Sequence, residues 1–248
     1  MKGRVALVTG GTGSIGTEIC RQLAKTGCTV AALGHPSEAA RMPQWQADLK
    51  ASGCPVAVEL CDLADFAAAG RAIATIEAQL GPADILVNAA GITRDARLAK
   101  MTADQWRQVI ATNLDSVFNA TKAVFEGMCQ RGFGRIVNIS SVNGQKGQFG
   151  QANYSAAKAG MHGFTMAVAQ EGAAKGVTVN TVSPGYVATP MTAAIKPEAL
   201  QKIVAGIPAG RMGTPADIAR AVVFLCADEA GYITGANLAV NGGLYMSA

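Results

Sequence analysis

The chain reads as α/β, with about seven strands in one parallel sheet and helices on both faces. Three observations predict this. The strand candidates are apolar throughout rather than alternating, as expected of strands covered on both sides. They alternate with helical stretches along the whole chain, the order produced by strand–helix–strand crossovers. The polar residues able to do chemistry stand just after strands, which gathers them on the edge where open α/β sheets bind ligands.

Val5–Val8 is a continuous apolar run that ends in Thr9-Gly10-Gly11-Thr12-Gly13-Ser14-Ile15-Gly16 and passes into a helical pattern reaching about Thr26. Val30–Leu33 predicts a second strand and Val56–Leu60 a third, which ends at Cys61-Asp62-Leu63. Helical stretches lie between, at Trp45–Ala51 and Ala67–Leu80. Ile85–Val87 is a fourth strand, followed by Asn88-Ala89-Ala90-Gly91. Thr102 and Gln105 form a capping box that opens a long helical region through Met128. Arg135–Ile139 is the fifth strand and runs into Ser140-Ser141. A polar loop then leads to an Ala-rich helix from Tyr154 to about Lys175, and Val177–Val182 is strand six, before Ser183-Pro184-Gly185. Thr214-Pro215 supplies a cap and an N1 proline for a helix to Cys226, and Leu238–Val240 is the last strand.

The 248 residues fit one domain, and no Pro/Ser-rich or charged linker divides residues 1–248. Half of the residues are hydrophobic and 15% are charged, which permits a large buried core and argues against disorder. The net charge of +4 is scattered, so neither a nucleic-acid surface nor a polybasic membrane patch is expected. A modest basic bias would favour the approach of an anionic substrate. The six cysteines include no Cys-x-x-Cys pair and stand near no histidine at ligand spacing, so no metal site is expected. They read as reduced, small, buried side chains of a cytoplasmic protein. The apolar run after Met1-Lys2-Gly3-Arg4 is too short for a signal peptide or a membrane span.

Two stretches carry the chemistry. Gly11-x-Gly13-x-x-Gly16, after a strand and opening a helix, matches the dinucleotide fingerprint, in which glycines allow the tight turn and free N–H groups attract a pyrophosphate. Tyr154 and Lys158 are four apart and share a helix face. A tyrosine hydroxyl titrates near ~10, and an ammonium beside it would stabilise the phenolate and lower that value. Ser141, ahead of the helix, could hold a substrate oxygen. At the ribose position strand two supplies no carboxylate directly. Glu38 would repel a 2′-phosphate, whereas His35 or Arg41 would attract one, so NADH and NADPH both stay open, with the balance toward NADH.

The chain resembles the short-chain dehydrogenase/reductase family over its whole length. Thr9-Gly10-x-x-x-Ser14-x-Gly16 is similar to that family's phosphate loop, Asn88-Ala89-Ala90-Gly91 to its structural turn, and Ser183-Pro184-Gly185 to its nicotinamide-facing turn. The resemblance implies a Rossmann-type doubly wound sheet and a catalytic set of Asn113, Ser141, Tyr154 and Lys158. It implies cofactor contacts at Gly10, Gly13, Ser14, Ile15, Gly16, Asp62, Leu63, Asn88, Ala89, Gly91, Pro184, Gly185 and Val187, besides Tyr154 and Lys158. Three positions depart from the pattern. Ser14 replaces a usual glycine, Gly13 stands where NADP-dependent members are often basic, and Ala89 replaces a common second asparagine.

Within the family, the stretch from Gln145 to Gln151 with Ser183-Pro184-Gly185-Tyr186, together with Ile92-Thr93-Arg94-Asp95 and Phe164-Thr165-Met166-Ala167, is similar to members that reduce acetoacetyl-CoA in polyhydroxybutyrate synthesis. The resemblance implies that Asp95, Gln148, Phe149, Gln151 and Tyr186 contact an acyl-CoA substrate, shaping its acyl and pantetheine pocket, and that the product is the (R)-alcohol. Ser141 would bind the carbonyl, Tyr154 would protonate it, Lys158 would tune Tyr154 and bind the nicotinamide ribose, and Asn113 would anchor a water relay to Lys158. It also implies a homotetramer built on the two long helices, whose apolar residues (Val117, Phe118, Val124, Phe125; Phe164, Met166, Val168) occupy more than one face. A mobile lid is implied at about 189–206, carrying Met191, Ile195, Leu200 and Ile203. The same motifs would serve a 3-oxoacyl-carrier-protein reductase of fatty-acid synthesis. A non-catalytic dinucleotide-binding regulator would need no proton donor, and the complete Asn/Ser/Tyr/Lys set argues against it. His162, two helical turns beyond Tyr154, reads as packing or surface, and Trp45 and Trp106 as packing anchors.

Overall fold

A computed structural model describes residues 1–193 and 197–246, the side chain of Met191 excepted. Seven parallel strands form one sheet in the order β3-β2-β1-β4-β5-β6-β7. The strands are β1 (Val5–Thr9), β2 (Thr29–Gly34), β3 (Val56–Leu60), β4 (Ile85–Asn88), β5 (Gly134–Ile139), β6 (Val177–Pro184) and β7 (Asn237–Val240). The order reverses direction at β1, so the crevice between β1 and β4 is the switch point of a doubly wound, Rossmann-type sheet.

Successive residues of the central strands enter opposite cores, which is why these strands do not alternate in polarity. Leu7, Leu86, Ile136 and Val179 stand in one cross-strand row. All are buried in the cluster shared with α3 (Phe66–Leu80) and α5 (Ser116–Arg131). Val8, Val87 and Val137 form the next row and pack on the other side, against α1 (Ser14–Lys25) and α10 (Pro215–Cys226). Each such fully buried side chain stabilises the sheet by about 1.5–3 kcal/mol of transfer free energy.

The helix starts follow their caps. Thr102 and Thr214 each complete a capping box, the first opening α4 (Ala103–Ile110), and Asp65 caps α3. The region expected as one long helix is in fact α4 and α5 joined by a π-helical turn, Ala111–Asp115, with Asn113 inside it. A 3₁₀ segment, Pro36–Arg41, precedes α2 (Met42–Ala51). The polar loop after Ser141 contains a one-turn helix, α6 (Val142–Lys146), before α7 (Ala152–Gly172). Trp45 is half-buried and its ring N–H donates to Thr17 Oγ1 (2.9 Å), but Trp106 is 42% exposed and anchors no core.

Between β6 and α10 lie α8 (Pro190–Ala193) and α9 (Pro197–Ala205), in the segment expected as a lid; Ile195 falls outside the described residues. All six cysteines are free thiols, five of them buried. Among the described residues no helix is long and apolar enough to cross a membrane.

Candidate active site

The loop after β1 is shaped by backbone contact. Gly10 has φ of +60°, and a Cβ there would come within 2.7 Å of Ala90 Cα. At Gly16 a Cβ would stand 2.2 Å from Gly10 O, so α1 can begin against the loop only with glycine at that position. Thr9 Oγ1 accepts from the N–H groups of Ala89 and Ala90 (3.1 and 3.3 Å), tying the turn after β4 to this loop. Unlike α3, α4 and α10, α1 has no side-chain cap, its N-cap being Gly13. Its first N–H groups are therefore left open to an anion, and Ser14 in place of the usual glycine fits without strain. The cradle and the open helix end fit the pyrophosphate of a nicotinamide dinucleotide.

The ribose end differs from expectation. Glu38 Oε2 accepts from Thr12 Oγ1 (2.6 Å) and from the N–H of His35 (3.0 Å). Glu38 is also ion-paired with Arg41, which in turn donates to Thr12 O (3.0 Å). Burial raises the Glu38 pKa, but the bonds from Thr12, Arg41 and His35 outweigh that and hold the carboxyl below its usual range. Neither Glu38 nor Arg41 is thus an independent charge. Asp62, exposed at the end of β3, accepts from Ala64 N–H, and Leu63 is buried beside it. These four residues lie outside the central cavity.

That cavity, of about 500 Å³, opens on the C-terminal edge of the sheet. Gly13 to Gly16, Ala89 and Gly91 form one side, and Pro184, Gly185 and Val187 another. Asn88 is a correction. Its side chain is 1% exposed and donates to Asn138 Oδ1 (2.8 Å) and Thr121 Oγ1 (3.2 Å), so it braces β4 against β5 and α5 instead of lining the cavity.

Ser141, Tyr154 and Lys158 meet on the third side. Ser141 caps α6, its Oγ accepting from Asn143 N–H (3.1 Å), while its hydroxyl also hydrogen-bonds with that of Tyr154. Lys158 is 4% exposed and donates to Ile139 O (2.8 Å), with its Nζ 5.7 Å from the centre of the Tyr154 ring. Burial depresses the Lys158 pKa to about 7. The Tyr154 pKa is raised by burial and by the Asp95 charge, and a hydrogen bond with Ser141 opposes both. The ammonium beside the hydroxyl, expected to lower this value, is instead placed beneath the ring and does not do so here. Gly144 packs on the main chain of Lys158, where a Cβ would come within 2.7 Å, and Ser140 Oγ donates to Lys158 O (2.8 Å).

Asn113 is fully buried. Its amide accepts from Ile92 N–H (2.8 Å) and donates to Ile92 O (2.9 Å), so its side chain holds the turn while one N–H and one lone pair stay uncommitted. His162 pairs with Ser183 Oγ (3.3 Å), and its pKa is lowered by burial and by the Lys158 charge.

Of the expected substrate contacts, Asp95, Gln151 and Tyr186 line the cavity. Gln148 and Phe149 do not: Gln148 accepts from Lys146 (3.3 Å), and Phe149 is 79% exposed. The structure adds Asn143, whose Nδ2 donates to Gln151 Oε1 (2.9 Å), while Gln151 Nε2 donates to Asp95 Oδ2 (2.8 Å). Thr189 and Thr192 complete the outer wall. Asn143 was hidden because its segment reads as loop; only the one-turn helix turns it into the cavity.

A family model described as enoyl-(acyl carrier protein) reductase matches residues 10–245. The chain is 61% identical to the acetoacetyl-CoA reductase of Allochromatium vinosum, covering 98% of this chain and 99% of the relative. It is 54% identical to the acetoacetyl-CoA reductase of Cupriavidus necator, over 99% and 100%. It is 44% identical to the 3-oxoacyl-[acyl-carrier-protein] reductase of Vibrio harveyi, over 99% of both chains.

Proposed function

The chain belongs to the short-chain dehydrogenase/reductase family, and on that premise we propose that it reduces acetoacetyl-CoA to (R)-3-hydroxybutyryl-CoA, the reductive step of polyhydroxybutyrate synthesis. It is an NAD(P)H-dependent oxidoreductase. The observation that carries the reading is the convergence of Ser141, Tyr154 and Lys158 on a cavity whose facing wall is the glycine cradle. Full-length relatives of that activity support the substrate.

The reduced nicotinamide supplies a hydride to the β-carbonyl carbon when it is bound. Ser141 would turn its O–H from Tyr154 to the carbonyl oxygen of the substrate, its own oxygen still held by Asn143 N–H. Tyr154 has its pKa raised and so keeps its proton at neutral pH until charge develops on that oxygen, to which it then transfers the proton. Lys158, its pKa depressed by burial to about 7, would bind the nicotinamide ribose from beneath the Tyr154 ring. Asn113 contributes by fixing Ile92 and the π-helical turn, from which it would anchor a water relay to Lys158. Arg41 is committed to Glu38 and Thr12 O and so is not free to receive a 2′-phosphate, which supports NADH over NADPH. Asp62 and Leu63 would meet the adenine end.

The segment 189–206 would close over the substrate as a lid on the single domain. Phe118 and Met166 are half-exposed on α5 and α7, and Phe66 stacks on Phe118 at 6.0 Å. These apolar faces support a homotetramer, and a monomer mass in light scattering would contradict it. Free, buried thiols suit the cytoplasm.

Rates with acetoacetyl-CoA at limiting NADH and NADPH test substrate and cofactor together. Tyr154→Phe should cut kcat by about 10³-fold, the usual scale of general acid catalysis, since Ser141 can hydrogen-bond the oxygen but is not the proton donor, while dinucleotide binding persists. Retention of near wild-type kcat would remove Tyr154 from the mechanism.

A further inference from the structure

Phe149 is a large apolar ring left 79% exposed. The guanidinium of Arg97 lies over it, 5.4 Å from the ring centre. Two distant segments make this pair. Ala96 N–H donates to Gly150 O (2.9 Å), and a parallel bridge joins Ala96 to Gln151. The same junction carries the Gln151–Asp95 bond, and both of those residues line the catalytic cavity. The pair therefore sits just outside the cavity, next to the wall along which a long substrate leaves it.

The charge around it is one-sided. Arg97, Lys100 and Lys146 have no carboxylate within ion-pair distance among the described residues, although eight such pairs form elsewhere. The only acid on the two segments, Asp95, is turned inward onto Gln151. An open aromatic face beside an unpaired guanidinium matches a ligand that carries both a flat base and phosphates.

We propose that Arg97 and Phe149 form the outer seat for the nucleotide tail of a coenzyme A thioester, with the base on the free face of Phe149 and a phosphate on Arg97. This rests on the acyl-CoA reading above and assigns Phe149 to the far end of that substrate rather than to the acyl pocket.

The test compares acetoacetyl-CoA with the acetoacetyl thioester of N-acetylcysteamine, which lacks the nucleotide, at several salt concentrations. In Arg97→Ala the ratio of kcat/KM for the full thioester to that for the truncated one should fall by about three- to tenfold, the scale of one partly exposed charge contact, through KM. Arg97→Lys should recover part of it, and Phe149→Leu should lower the same ratio. The salt dependence of KM for acetoacetyl-CoA should flatten in Arg97→Ala. An unchanged ratio overturns the proposal and leaves the acetoacetyl-CoA reading intact. A larger loss on an acetoacetyl-carrier protein than on acetoacetyl-CoA also overturns it, by making the rim a protein-docking face. Failure of the wild-type protein to reduce acetoacetyl-CoA overturns both.

Discussion

The floor of the site and its outer rim are built on different principles. At the floor, Gly10 and Gly16 bring main chain against main chain, and Thr9 hooks the neighbouring turn to the same loop. Neither glycine there has room for a side chain. At the rim, Arg97 and Phe149 are side chains meeting in solvent, on segments joined by one bridge, one backbone hydrogen bond and the Gln151–Asp95 side-chain bond. The floor is held by sterics and suits a cofactor whose phosphates never change. The rim is held by weak, exchangeable contacts, so specificity can drift there without cost to the fold.

The largest expected contrast comes from the floor. Gly16→Ala places a Cβ 2.2 Å from Gly10 O, with main chain on both sides and nothing flexible to yield. It should cost about 3 kcal/mol or more, at or beyond the upper end of ordinary overpacking. Denaturant unfolding should show that loss, and dinucleotide should no longer raise the Tm. A fold and cofactor response like wild type would mean that the floor is as plastic as the rim.

Lys158, between the two regions, tests burial. Its pKa is depressed in the folded state to about 7 from an ordinary 10.5, so the unfolded chain binds the extra proton between those values and stability rises with pH across that window. Below about pH 7 both states hold the proton and the penalty is constant. Lys158→Met should therefore lose turnover yet be more stable than wild type near pH 7, with the gap closing as pH is raised toward 10. A gap that is flat in pH would show that Lys158 is solvated.

The smallest effect belongs to the rim side of the wall. Asn143→Ala removes one side-chain bond to Gln151, worth about 1 kcal/mol, and leaves the main-chain N–H that orients Ser141. KM for acetoacetyl-CoA should rise severalfold with kcat nearly unchanged. A fall in kcat as large as that of a Ser141 variant would move Asn143 from the wall into the catalytic set.

What could be read from the chain follows from how local the cause is. Thr102 with Gln105, and Thr214 with Pro215, announce their helices because a cap and its partner lie within one turn. The apolar strands, the glycine loop and the Tyr154–Lys158 spacing are legible for the same reason: each is fixed by residues a few positions apart. The chain itself thereby determined the doubly wound sheet, the glycine loop and the polar side chains, Ser141, Tyr154 and Lys158, that meet at one cavity. Three things were decided only in three dimensions. Asn88 faces the core because Asn138, fifty residues on, stands opposite it in register. Lys158 lies beneath the Tyr154 ring because it is drawn to Ile139 O, and burial raises the phenol's pKa. Phe149 sits outside the pocket, under Arg97, because a bridge at Ala96 and Gln151 joins segments that sequence spacing cannot align. Short-range sterics and hydrogen bonding write themselves into local pattern, whereas burial, charge pairing and side-chain apposition depend on which distant segment the fold brings alongside.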